Sequence, residues 1–92
     1  MVCADLLGSV VGEADVPYPA YGIESGFFEQ DPADWTKGIL SAVGLLRAKL
    51  PEEQWQSVEA IGLSAQMPTM VLLGKDGAVL DRAIVWCDAR AE

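Results

Sequence analysis

Apolar positions follow two different periods along this chain, one suited to strands and one to a helix. The run over residues 2–6 stops at Gly8-Ser9, and residues 10–16 resume it with partial alternation, which predicts an antiparallel hairpin. Pro17, Pro19 and Gly22 exclude regular structure to about Gly26 and predict an extended surface loop. Phe27 and Phe28 follow it and are placed to pin the loop to the core. The period then changes. Trp35, Ile39, Ala42, Val43, Leu46 and Leu50 recur at spacings of 4, 3, 1, 3 and 4, one face of a helix over about residues 32–49. Asp31 is positioned as its N-cap, Pro32 occupies the first turn where a missing N–H costs nothing, and Pro51 stops it. An acidic connector containing Trp55 leads to an apolar stretch over residues 58–63 that reads as a buried strand. Beyond it, "TMVLL" and "AVLDRAIVW" flank the turn signal Lys75-Asp76-Gly77 and predict a further hairpin or a pair of short strands. The expected fold is α/β, in the order β-β-α-β-β-β, with the helix crossing over a mixed sheet.

Composition narrows the class. The chain has 92 residues, 51% hydrophobic and 22% charged, the make-up of one small globular domain. Its formal net charge of -8 has no basic stripe to offset it, so phosphate backbones and anionic membranes are repelled. Nucleic acid is excluded as an expected partner. No apolar run approaches the ~20 residues of a membrane span, and the N-terminal residues lack the pattern of a signal peptide. Cys3 and Cys87 are the two cysteines, with no histidine to build a metal site beside them. They are expected as reduced, buried thiols of a cytoplasmic protein.

Polar residues collect at two places where strands should end. Residues 64–69, "SAQMPT", interrupt the apolar pattern, and Trp86, Asp88 and Arg90 follow the last strand. If those ends are neighbours, one rim carries an amide, a thioether, an indole, a carboxylate and a guanidinium. That set suits a polyhydroxylated small molecule, with polar groups for hydroxyls and flat apolar groups for C–H faces. Met67 and Trp86 could equally be core residues, and Asp88 with Arg90 a solvated pair.

The segments "GFFEQDPADW", "IGLSAQMPTMVLL" and "AIVWCDAR", in that order and spacing, resemble the N-terminal domain of the FGGY family of carbohydrate kinases, closest to its xylulokinase-like branch. The resemblance covers nearly the whole chain. It implies a partial ribonuclease-H-like (actin-like ATPase) domain over residues 1–92, cytoplasmic, from an enzyme that moves the γ-phosphoryl of ATP to a sugar or polyol hydroxyl with Mg²⁺. It also implies sugar-site roles for Gln66, Met67, Pro68, Trp86, Asp88 and Arg90. Pro68 departs from the family, where a histidine usually contacts the sugar. Glu29-Gln30-Asp31 matches the segment that opens the first helix, and for it the capping role of Asp31 is the primary expectation.

Several parts of the family pattern are not in this sequence. Met1 falls where the family's second strand begins, so the strand carrying D-x-G-T/S is expected to be missing. The catalytic aspartate and the adenosine contacts belong to later regions of the family. Phosphoryl transfer rests on positioning and electrostatic stabilisation of phosphates, so this chain alone is expected to be inactive and to bind neither ATP nor Mg²⁺. A non-catalytic remnant that binds a sugar or a partner is the alternative. An uncovered sheet edge is expected to favour self-association.

Overall fold

The computed structural model describes residues 1–90. They form a small α/β chain of antiparallel sheets and helices, divided into two compact units: Met1–Pro17 with Lys37–Leu63, and Tyr18–Thr36 with the residues from Ser64 onward.

In the first unit, β1 (Val2–Ala4) and β2 (Val10–Glu13) form the expected hairpin, with Val2 opposite Glu13 and Cys3 opposite Gly12. Asp5 builds the turn: its carboxylate accepts from the Leu7 and Ser9 N–H groups, both at 2.9 Å. The long helix α1 (Pro32–Lys49) begins and ends where proline and cap chemistry predict. Asp31 Oδ1 accepts from the Ala33 N–H at 2.9 Å, satisfying one of the donors that a helix start leaves unpaired. Its apolar stripe is only partly buried. Ala42, Leu46 and Leu50 are buried, while Ile39 is exposed. Ala14, Ala42 and Leu46 make the core, with Cys3, Val16 and Trp55 packed around it. Enclosing a leucine such as Leu46 contributes about 1.5–3 kcal/mol. Trp55 comes from α2 (Glu52–Gln56), a short helix in what the sequence suggested was a plain connector.

The expected strand over residues 58–63 does not form, and those residues are exposed, with Ile61 and Leu63 almost fully so. A strand exists only through a neighbour's backbone, and among the described residues none pairs with this segment. The mixed sheet with a helical crossover is absent from the described residues for the same reason. The sheets present are antiparallel.

The second unit holds a three-stranded sheet. β5 (Ala83–Val85) is central, flanked by β3 (Glu29–Gln30) and β4 (Thr69–Met70). Ala83 and Val85 are buried on one face, as a period of two requires, and Ile84 turns to the other. The hairpin from β4 to β5 narrows at a Leu73–Val79 bridge, and Asp76 Oδ1 accepts from the Ala78 N–H at 3.1 Å in the turn. Cys3 and Cys87 are both free and half-buried, not fully enclosed as expected.

Candidate functional site

Strand register decides which polar residues meet. Gln30 lies opposite Ala83 and Glu29 opposite Ile84, while Thr69 lies opposite Val85. Both neighbours run antiparallel to β5, so the residues entering β3 and β4 come beside the residues leaving β5. Phe27 and Phe28, Met67 and Pro68, and Trp86 through Arg90 therefore share one sheet end. The expected convergence is present, although "SAQMP" precedes a strand and does not follow one.

At that end the carboxylate of Asp88 is heavily engaged. It accepts from the Phe28 N–H at 2.7 Å, from Arg90 Nε and a terminal Arg90 nitrogen at 2.7 Å each, and from the Arg90 N–H at 3.1 Å. Its side chain is only 3% exposed while that of Arg90 is 31% exposed, so the carboxylate half of the pair is enclosed and the guanidinium half reaches solvent. The fork of Arg90 holds the Asp88 carboxyl well below the usual carboxylate range, and the Phe28 N–H adds to the effect. Arg90 also donates to Glu29 at 2.7 Å and stacks 4.3 Å over the Phe27 ring. Its bonds to Asp88 first, then to Glu29, raise its pKa further.

Glu29 reaches a second cation, Arg82, at 3.9 Å, and Arg82 lies 3.8 Å over the Tyr21 ring. The Tyr21 hydroxyl donates to Asp34 at 2.8 Å, and that bond raises the phenol's pKa. Phe27 and Phe28 do pin the loop, but through backbone bonds and a cation–π contact more than through burial. The Phe28 carbonyl accepts from the Val85 N–H at 3.0 Å.

Alternation along β3 sends Gln30 to the face opposite Glu29. There Gln30 Oε1 accepts from Trp35 Nε1 at 3.1 Å and from Gln66 Nε2 at 2.7 Å. Among the described residues, hydrogen bonds join Asp88 to Arg90 and Gln66 to Gln30, but neither pair to the other. Met67 and Trp86 are 85% and 64% exposed, so neither is a core residue. Pro68 is exposed beside them. The Thr69 hydroxyl is buried with no partner among the described residues.

A shallow depression of about 420 Å³ follows residues 20–25, and none of the six expected sugar-site residues lines it. These six lie on an open sheet end. Sequence reasoning gave Glu29 and Gln30 only as part of the segment that opens the first helix, and Trp35 only as part of that helix's apolar face. Glu29 meets Arg90 across 61 positions and Gln30 meets Gln66 across 36, separations that no local period reveals.

The sequence model of the FGGY family of carbohydrate kinases, N-terminal domain, matches residues 1–92. The chain belongs to that family, as the three quoted segments implied, and the complete family domain has an actin-like ATPase fold. It is 35% identical over 83 residues to a xylulose kinase of Bacillus subtilis (strain 168), which covers 90% of this chain and 16% of that protein. A xylulose kinase of Staphylococcus epidermidis is 29% identical over 90 residues, covering 98% of this chain and 18% of its own. A glycerol kinase of Alkalilimnicola ehrlichii is 35% identical over 91 residues, covering 94% and 17%. The chain thus spans 16% to 18% of the length of these curated relatives. No solved structure matches it.

Proposed function

We propose that this chain is part of an ATP-dependent kinase that phosphorylates a hydroxyl of a sugar or polyol, and that it supplies one wall of the sugar pocket. One observation carries the assignment to a wall. An indole and a thioether, Trp86 and Met67, stand in solvent at the sheet end where Gln66 is held by a neighbouring amide. Flat apolar groups beside a fixed amide suit the C–H faces and hydroxyls of a polyol. The names of the relatives, xylulose kinase and glycerol kinase, both denote polyhydroxylated substrates.

In this assignment Gln66, Met67, Pro68 and Trp86 face the sugar. Asp88 and Arg90 act behind them, because the Asp88 carboxylate is already filled by Arg90 and the Phe28 amide. Among the described residues no group of three His, Cys, Asp or Glu side chains stands together to hold a metal ion. In this reading ATP and its Mg²⁺ belong to the complete kinase. Free cysteines suit a cytoplasmic setting. No described helix is long and apolar enough to cross a membrane.

Titration of the chain with xylulose and with glycerol, followed by Trp fluorescence and by ¹⁵N–¹H spectra, tests the proposal. The expected result is a weak, saturable response at Trp86, Met67 and Gln66 without sugar-dependent ATP turnover. No response to either polyol would overturn the wall assignment. Turnover by this chain, abolished by substituting Met67 or Trp86, would overturn the division of labour.

A further inference from the structure

Chemistry fixes the orientation of two amides at this sheet end. An indole N–H is donor only, so the Gln30 atom 3.1 Å from Trp35 Nε1 is the carbonyl oxygen. That oxygen also meets Gln66 at 2.7 Å, so the Gln66 atom there is the NH₂ group. The rest follows by elimination. Gln66 Oε1, an acceptor, and Gln30 Nε2, a donor, have no protein partner among the described residues; Gln66 is an exposed residue, and Gln30 Nε2 is not among the buried unpaired atoms. Trp35 thereby sets the polarity of both amides, although it lies one side chain away from Gln66.

We infer that Gln30, oriented by Trp35, serves polyol recognition in two ways: it turns the carbonyl of Gln66 outward as an acceptor for a sugar hydroxyl, and it offers its own amide N–H to a neighbouring hydroxyl. The inference rests on the sugar-wall assignment of Gln66 and adds the reason that its amide has one face to offer. A hydroxyl both donates and accepts, so neighbouring hydroxyls of a polyol satisfy Gln66 Oε1 and Gln30 Nε2 together. Without Trp35 both amides are free to flip, and the acceptor presented to the ligand is lost for part of the time.

The test uses the ¹⁵N-labelled chain with glycerol and xylulose as probes. Trp35→Phe keeps the ring and removes the donor. Gln30→Glu keeps an acceptor for both Trp35 and Gln66 but deletes the outward donor. In the free chain, Trp35→Phe is expected to move the side-chain amide signal of Gln66 toward that of an unbonded glutamine, while Gln30→Glu leaves it hydrogen-bonded. Both substitutions are expected to weaken polyol binding by about three- to tenfold, the worth of one ordinary hydrogen bond. A Gln66 signal indifferent to Trp35→Phe overturns the relay, whatever the sugar does. Polyol binding unchanged in Trp35→Phe and Gln30→Glu overturns the part of Gln30 in recognition and leaves the relay standing. A Gln66 signal that responds as expected, in a chain that binds neither polyol, overturns the sugar-wall assignment and the inference with it. Should Trp35→Phe fail to fold, Gln30→Glu decides: retained polyol affinity overturns the inference, and loss with an intact Gln66 bond supports it.

Discussion

Gly22 and Gly26 bracket the 3-10 turn at Ile23–Ser25, and both have left-handed backbone, φ +75° and +74°. Alanine at either position pays the steric cost of that region, about 1–2 kcal/mol. Both substitutions recover about 0.4–1 kcal/mol by restricting the unfolded chain. What separates them is space. A methyl at Gly26 meets nothing within 4 Å, whereas one at Gly22 falls 2.9 Å from the Cβ of Phe27 and 3.5 Å from its carbonyl oxygen. A Cβ cannot swing away as a side-chain tip can, so the backbone must give, at about 1–3 kcal/mol. The shared costs cancel, and Gly22→Ala is expected to be less stable than Gly26→Ala by about 1–3 kcal/mol. With a urea slope of about 2 kcal/mol per molar, that separates the two midpoints by roughly 1 M. Urea unfolding by far-UV circular dichroism measures the gap. Exchange of the Phe28 amide, which donates to Asp88, shows whether the strain reaches the site. Equal midpoints, or a less stable Gly26 variant, would refute the close approach of Gly22 to Phe27.

Two further outcomes follow from charge and from open edges. The depressed Asp88 carboxyl stabilises the fold fully above its ordinary pKa of 3.8, and that contribution is lost as pH falls through the lower folded value; the midpoint gap between the native chain and Asp88→Asn should stay constant near neutrality and close below about pH 4, and a gap independent of pH would refute the Arg90 clamp. Each of β1 and β2 has one edge without a strand partner among the described residues, and Val2 and Val10 are exposed there, so the chain should self-associate as concentration rises; sedimentation showing only monomer across the accessible range would refute this.

Local chemistry was legible in the sequence, and long-range pairing was not. Asp31-Pro32 located the start of α1 because a cap acts within three residues, and Pro51 stopped the helix just beyond its last turn. The turns at Gly8-Ser9 and Asp76-Gly77 were readable for the same reason. Residues 58–63 misled because an apolar, strand-like composition states only what a segment can bury, and pairing requires a second backbone row. The rim was anticipated from Trp86, Asp88 and Arg90 beside residues 64–69, yet the sequence could not say that Asp88 and Gln66 serve different networks. That division comes from alternation along β3, which was itself unforeseen.

The spacing of Asp88 and Arg90 explains how an acidic residue near the last strand becomes enclosed. The Asp88 N–H donates to the Val85 carbonyl at 2.9 Å, closing a turn directly after β5. Two residues on, the Arg90 N–H and its guanidinium fold back onto the same carboxylate. One oxygen remains able to reach across 60 positions and accept the Phe28 amide. A carboxylate satisfied on both oxygens has little left to give a sugar, and removing it would unfasten the loop carrying Phe27 and Phe28. Gln66 is in the opposite position. Its NH₂ is held by Gln30, and among the described residues its carbonyl accepts no protein hydrogen bond. Substitutions at Asp88 should therefore register first in stability, and those at Gln66 first in ligand affinity, although both residues stand at the same end of one three-stranded sheet.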